Sequence, residues 1–257
     1  MDRRVRERRR LVGRERGRRR AGLIFLCVLA VAAAGLFLWL RSSDVFAVRQ
    51  VSAPVTRHVT QEQIADAVSA ARGVSLLKVS TAAIEKTLEV LPYVRSIHVY
   101  RRFPNSLEIR LDEYEPVARV RTADGKRWLV ADDGRLLEKV GSQATSPLPL
   151  IVPAGQFIAR PGGATPPTVV AALPVALMLQ MPEVAARLPA VEEIAVSAGG
   201  DVVVRLEGGT ELRLGSPTDL KQKMTVAADR IQEYLRDGKT LEYVDASAAD
   251  RVAVKVQ

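Results

Sequence analysis

Residues 92–120 read PYVRSIHVYRRFPNSLEIRLDEYEPVARV, and their alternation decides the fold. Ile97 and Val99 alternate with polar neighbours through Val94–Arg102, and Leu107, Ile109 and Leu111 alternate again further on. A period of two puts one set of side chains on a buried face and the other in water. Between the two runs, Phe103-Pro104-Asn105-Ser106 has Pro at i+1 and Asn at i+2, which suits a type I turn. The stretch is therefore a β-hairpin with one apolar face.

Two helical patterns precede the hairpin. Thr60-Gln61-Glu62-Gln63 has capping-box spacing, and Ile64, Ala67, Val68 and Ala71 follow at i, i+3, i+4 and i+7 before Gly73 stops the run. A second helix is predicted from about Ser80, with Ile84, Leu88 and Leu91 on one face and Pro92 as its limit. Before both, Val45–Val51 (VFAVRQV) reads as an extended strand. The order over residues 44–113 is β-α-α-β-β.

Residues 114–257 read as a second, strand-rich domain, mostly antiparallel with helices, so the fold class is α+β. Pro116–Arg121 and Trp128–Val130 are strand candidates, and Asp133-Gly134 is a hairpin turn signal. Residues 141–167, rich in Gly, Pro, Ser and Thr, read as loop. Val169–Met181 is helical in character, with Pro174 expected to kink it or start a new helix. Val202, Val204 and Leu206, then Gly208-Gly209, then Leu212 and Leu214 form another hairpin. A long helix follows, with Ser216 as N-cap, Pro217 at the first position and Leu220, Met224, Ala227, Ile231 and Leu235 as its apolar stripe. Gly238 ends it, and Leu241–Val244 and Arg251–Val256 close the chain as strands around a turn at Asp245-Ala246-Ser247.

The N-terminus is different in kind. Residues 1–20 hold eleven arginines against Asp2, Glu7 and Glu15, or 11 − 3 = +8 of the formal +9. The remainder carries 38 − 11 = 27 basic and 29 − 3 = 26 acidic side chains. The basic balance thus belongs to one tail, expected to be disordered, and gives no reason to expect a nucleic-acid partner. Residues 21–40, AGLIFLCVLAVAAAGLFLWL, contain no charge and no proline. As a helix they extend about 30 Å, the thickness of a bilayer's hydrocarbon core. A cleaved signal peptide is the competing reading, with Ala32-Ala33-Ala34 as its cleavage site, but the apolar run continues through Leu40. Arginine-rich flanks stay in the cytoplasm, so Arg18, Arg19 and Arg20 mark the inner side and residues 41–257 the outer. The tail is also expected to attract anionic lipids of the inner leaflet. Cys27, the one cysteine, falls within the span, leaving the outer region without a disulfide.

The β-α-α-β-β order, with Arg101-Arg102-Phe103-Pro104-Asn105-Ser106-Leu107 followed by Glu113-Tyr114-Glu115-Pro116-Val117-Ala118, resembles the POTRA domain of the FtsQ/DivIB family of bacterial division proteins. Trp128–Leu137 (WLVADDGRLL) resembles the family's next segment, with Ala131 where an aspartate often stands. Tail (1–20), span (21–40), POTRA domain (44–113) and β domain (114–257) come in the family's order. The resemblance implies a single-pass type II protein of the cell membrane, placed at the division septum. It also implies a non-catalytic scaffold of the divisome whose C-terminal strand docks FtsB, which travels with FtsL, and which helps to regulate septal wall synthesis. Carried over by position, Asp245, Ser247, Asp250, Arg251, Val252 and Val254 are the partner-binding residues. The POTRA domain is expected to meet other division proteins.

Nothing in the residues themselves points to catalysis. No nucleophile elbow or S-x-x-K is present, and Gly162-Gly163, Gly199-Gly200 and Gly208-Gly209 are isolated turn pairs rather than phosphate loops. Asp132-Asp133 and Glu192-Glu193 are adjacent, and neighbours on a strand diverge. His98 is expected to be structural, and His58 to be solvated before a helix cap. No cofactor or metal is expected, and a membrane-anchored wall hydrolase lacks its catalytic groups. A POTRA-bearing component of an export or secretion system is the alternative from another class; one POTRA unit behind an N-terminal anchor argues against it. An ordinary closing strand is the plain alternative for Arg251–Val256, whose alternation of Val252, Val254 and Val256 with Arg251, Ala253 and Lys255 also fits a sheet edge.

Overall fold

The computed structural model describes residues 24–35, 39, 44–141, 146–248 and 251–257. Residues 24–35 are helical and expose the apolar side chains of Ile24, Phe25, Leu26, Val28, Leu29 and Val31. Among the described residues no helix is long and apolar enough to cross a membrane. The span expected over 21–40 falls partly outside them, and the tail with Arg18, Arg19 and Arg20 falls wholly outside.

From Asp44 onward the first elements are β1 (Gln50–Ser52), α1 (Gln61–Val68), α2 (Thr81–Glu89), β2 (Val94–Arg102) and β3 (Ser106–Glu113), the expected β-α-α-β-β order. They form a three-stranded sheet in the order β1-β3-β2, with β1 parallel to β3. Helix α1 begins directly after Thr60, and Ser80 Oγ accepts the Ala83 N–H at 3.3 Å at the start of α2. The strand expected at Val45–Val51 is shorter than read. Asp44–Phe46 is one 3-10 turn, Ala47 makes an isolated bridge to Ser75, and only Gln50–Ser52 pairs as a strand. Phe103–Asn105 form the turn between β2 and β3, and the Phe103–Pro104 peptide is cis, as the tertiary amide before proline permits.

The remaining strands are β4 (Pro116–Arg121), β5 (Arg127–Ala131), β6 (Leu136–Val140), β7 (Leu150–Pro153), β8 (Val191–Val196), β9 (Val202–Leu206), β10 (Glu211–Gly215), β11 (Leu241–Ala248) and β12 (Arg251–Val256). Their sheet runs β12-β11-β10-β9-β8-β7-β4-β5-β6. Pairing is antiparallel at β4–β5, β5–β6, β8–β9, β9–β10 and β11–β12, and parallel at β4–β7, β7–β8 and β10–β11. The helices are α3 (Pro167–Leu179), the short α4 (Pro182–Ala185) and α5 (Leu220–Arg236). α3 and α4 connect the parallel pair β7–β8, and α5 connects β10–β11, as a parallel connection requires.

Two compact units emerge. One takes the chain up to Val55 with Gln61–Glu85 and His98–Arg110; the other takes Thr56–Thr60, Lys86–Ile97 and Leu111–Gln257. The first buries Val48, Ile64, Val68, Leu76, Ile84, Val99, Leu107 and Ile109. In the second, Val120, Ile151, Ile194, Val204, Leu212 and Val244 of the sheet share one core with Leu173 and Ala176 of α3 and Met224, Ala227 and Ile231 of α5. Both long helices therefore cover the same face of the large sheet.

Two expectations for this region change and one narrows. The 141–167 stretch contains β7, because Leu150-Ile151-Val152 is a short apolar run between two parallel neighbours and shows no alternation to read. Of the two outcomes expected at Pro174, a new helix is excluded, since α3 is one helix with Pro174 inside it. α5 starts at Leu220, after Asp219 in the left-handed conformation at φ 54°, rather than at Ser216-Pro217. The Gly208-Gly209 turn has φ 88° and 82°, as its hairpin demands.

Candidate protein-docking edge

β12 is the terminal strand of the large sheet, with β11 as its sheet neighbour. Its register pairs Val244 with Val254, Asp245 with Ala253 and Tyr243 with Lys255. The alternation seen in the sequence has a direct outcome: Val252 and Val254 are half-buried against the core, while Arg251, Ala253 and Lys255 are exposed. Gln257 N–H donates to Thr240 O at 3.0 Å, toward β11. Backbone groups alternate sides along a regular strand, so the N–H groups of Val256, Val254 and Val252 point away from β11. These outward groups give a row of donors and acceptors that a further strand can complete.

The residues nominated from sequence divide accordingly. Asp245 and Ser247 lie within β11, not in a turn, because β11 runs on to Ala248; a register shift falls between Asp245 and Ala248. Asp245 Oδ1 accepts the Ser247 N–H at 2.9 Å. Hydrogen bonding from Ser247, opposed by partial burial and aided by Arg213, holds the Asp245 carboxyl below its ordinary value. Opposite Ser247, Gly215 has φ 61°, and a Cβ there would come within 3.0 Å of the Ser247 Cβ. Asp250 lies outside the described residues. Asp245 with Ala253, and Val252 with Val254, face opposite sides of the sheet, so the residues share the β11–β12 pair and neither one face nor one strand.

Lys255 Nζ is 2.7 Å from Glu242 Oε2, and that contact raises the Lys255 ammonium above its ordinary value. A charged pair on an edge discourages indiscriminate strand pairing. Away from the helices, the sheet carries a ladder of charge. Glu193 meets Arg121 at 3.2 Å and Arg205 at 2.5 Å, Glu211 meets Arg213 at 3.0 Å, and the Arg213 guanidinium lies 4.2 Å from the Tyr243 ring centroid. Such exposed pairs add little stability each, but they keep this face wet.

The opposite end of the sheet is treated differently. Leu136 N–H donates to Gly163 O at 2.7 Å, Gly162 N–H donates to Leu136 O at 2.7 Å, and Arg135 bridges to Ala164. The chain's own loop thus lies along the start of β6. Gly134, at φ 88°, leaves room for it: a Cβ there would sit 2.8 Å from Thr165 Oγ1.

One residue of the quoted motif has a role that sequence reasoning missed. Glu113 accepts the backbone N–H groups of Arg57, His58 and Val59 at 2.9, 3.0 and 2.7 Å. His58 stacks on Tyr93 with ring centroids 3.8 Å apart and its Nδ1 is 3.5 Å from Glu113, so it is not simply solvated. Burial pushes the Glu113 carboxyl up, but the three N–H donors and His58 outweigh it and hold it below the ordinary value. A carboxyl depressed in the folded state stabilises fully above its unfolded value, about 4.5, and that contribution disappears as pH falls through the lower folded value. Glu113→Gln is expected to cost about 1–3 kcal/mol at neutral pH. The gap between native and variant melting temperatures should narrow as the pH falls through roughly 5 to 3; a constant gap would contradict the assignment.

The adjacent carboxylates are each engaged separately. Asp132 pairs with Arg95; Asp133 accepts from Tyr114 Oη at 2.7 Å and from the Arg135 N–H at 2.9 Å. Glu193 joins the charge ladder and Glu192 is exposed. His98 is exposed on β2, its ring centroid 6.3 Å from that of Tyr100. Among the described residues no group of three His, Cys, Asp or Glu side chains could hold a metal ion.

A β-α-α-β-β module followed by a helix-backed sheet that ends in an edge strand is the architecture of a POTRA-plus-β-domain protein. The family model of the FtsQ-type POTRA domain matches residues 46–114, and that of the cell division protein FtsQ/DivIB C-terminal region matches 118–247. The chain belongs to the FtsQ/DivIB family of cell division proteins. It is similar to the cell division protein FtsQ of Mycobacteroides abscessus, 29% identical over 91% of this chain and 69% of that one. The FtsQ of Allochromatium vinosum is 27% identical over 88% of this chain and 82% of its own, and that of Anaeromyxobacter sp. 30% over 82% and 74%.

Proposed function

We propose that this chain is a non-catalytic scaffold of the bacterial divisome, held in the cell membrane by one span over residues 21–40. In this reading the arginine tail stays in the cytoplasm beside anionic lipids, and a POTRA domain (44–113) and a β domain (114–257) lie outside, at the septum. The β domain docks FtsB, accompanied by FtsL, along β12, and so helps to organise and regulate septal wall synthesis; the POTRA domain is left for other division proteins. The observation that carries the docking is the asymmetry of the large sheet: β12 ends it with Val252 and Val254 against the core, while a loop lies along the start of β6. The anchor is supported by twenty uncharged residues and by the exposed apolar side chains of the helical stretch 24–35. A scaffold role is supported by carboxylates that are engaged in pairs rather than converging on a cavity.

Depletion of the protein in its own host tests the role. Filaments without septa, rescued by the native chain, are expected; normal division would remove the reading.

A further inference from the structure

We infer that the end of the first unit that carries Val45, Phe46 and the Phe103 turn rests on the outer leaflet of the membrane, with Phe103 inserted among the lipid headgroups. This rests on the anchor reading above. The geometry begins with backbone bonds. Leu76 N–H donates to Phe46 O at 2.7 Å, and the N–H groups of Arg49 and Gln50 both reach Asn105 O, at 2.9 and 3.3 Å. β1 and β3 run parallel with Gln50 opposite Ser106, so both strands start at the same end of the sheet. The first residues after the anchor and the turn between β2 and β3 therefore share one end of this unit.

Only residues 41–43 separate Leu40 from Asp44, which allows a reach of about 15 Å at full extension. That end is held close to the bilayer by chain length alone. It is also apolar in a way that water does not favour. Phe103 is 60% exposed and Val45 59%. The Phe46 ring props Phe103 from the side, edge-on at 6.1 Å and 79°.

Basic residues lie close to the aromatics along the chain and across the backbone bonds just described. Arg49, Lys78 and Arg102 are exposed there, and Arg102 pairs with Glu108. Aromatic rings with neighbouring cations suit the headgroup region, where the ring sits at the boundary and the cations meet phosphates. Burying the exposed part of one phenylalanine in this way complements the anchor and fixes the tilt of the unit on the surface. With Asp44 and Glu108 set against Arg49, Lys78 and Arg102, the balance is 3 − 2 = +1, slightly of the sign that anionic lipids attract.

The test uses the full-length chain in vesicles of phosphatidylcholine with a minority of phosphatidylglycerol, with and without bromine atoms on the acyl chains near the headgroups. Bromine quenches a tryptophan that touches it. Trp128 is buried in the large sheet and gives a constant background. Native protein compared with Trp39→Phe reads the anchor, and Trp39→Phe compared with Trp39→Phe/Phe103→Trp reads the turn. The emission added by Phe103→Trp is expected to fall about twofold in brominated vesicles. Quenching of Trp39 without quenching at position 103 would overturn the inference and leave the anchor standing. Quenching of neither would remove the anchor, and the inference with it.

Discussion

If a partner strand docks along β12 as proposed, Val252→Pro is expected to weaken that docking strongly while the β domain stays folded. The N–H of Val252 points away from β11, so proline removes a donor from the outer row and keeps the ladder to β11 intact. The ring also occupies the space where an incoming backbone would approach. One lost donor and the neighbour it displaces amount to roughly 2–3 kcal/mol, or about 30- to 150-fold in the dissociation constant. The neighbouring Ala253→Pro is the informative contrast. Ala253 is opposite Asp245 and its N–H faces β11, so proline there detaches β12 from the sheet and lowers the melting temperature as well. Binding of purified full-length chain to FtsB, read alongside thermal unfolding, separates the two. Native affinity in a folded Val252→Pro variant would show that the partner docks elsewhere.

The second large effect is expected at a buried side chain. Lys223 on α5 is 4% exposed, and its Nζ donates to Leu214 O at 3.0 Å and to Ser216 O at 2.9 Å. The ammonium thus ties the start of α5 to the end of β10, where two carbonyls would otherwise be left without partners. Lys223→Met fills the same volume but leaves those acceptors unpaired. The expected loss is about 2–4 kcal/mol, against a charge whose own desolvation already reduces the net gain. For a chain of this size that corresponds to a drop of roughly 5–15 °C in the melting temperature. An unchanged melting temperature would mean that the two carbonyls find other donors. Because α5 leads directly into β11, the variant should also weaken the proposed docking on β12, in proportion to the unfolded fraction and not beyond it.

Much of this architecture was legible because two simple periods mark it. The hairpin of β2 and β3 announces itself by alternation, and Gly208-Gly209 by the backbone angles its turn needs. β7 was not legible, since a strand buried between two parallel neighbours has no polar face to alternate with. The start of α5 was misplaced because Ser216-Pro217 has the chemistry of a helix start, whereas β10 continues to Gly215 and the chain must first turn through Asp219. The edge position of β12 was within reach of sequence reasoning, as a terminal strand with charges on one face. The placement of Asp245 and Ser247 inside β11 was not, because Asp-Ala-Ser resembles a turn until its partner strand is known. Glu113 illustrates the remaining gap. Its motif was plain, but the three N–H groups it accepts lie more than fifty residues away in sequence, and no local pattern specifies them.

The loop along β6 has a consequence for how many copies can assemble. With Leu136 already bonded to Gly162 and Gly163, Glu138–Val140 is what remains of β6 at that margin among the described residues, about the shortest length on which a strand can form. The β12 margin is therefore the better template for a further strand. A strand docking on β12 as proposed would thus sit at one end of the large sheet and leave the other end a poor template for a further copy.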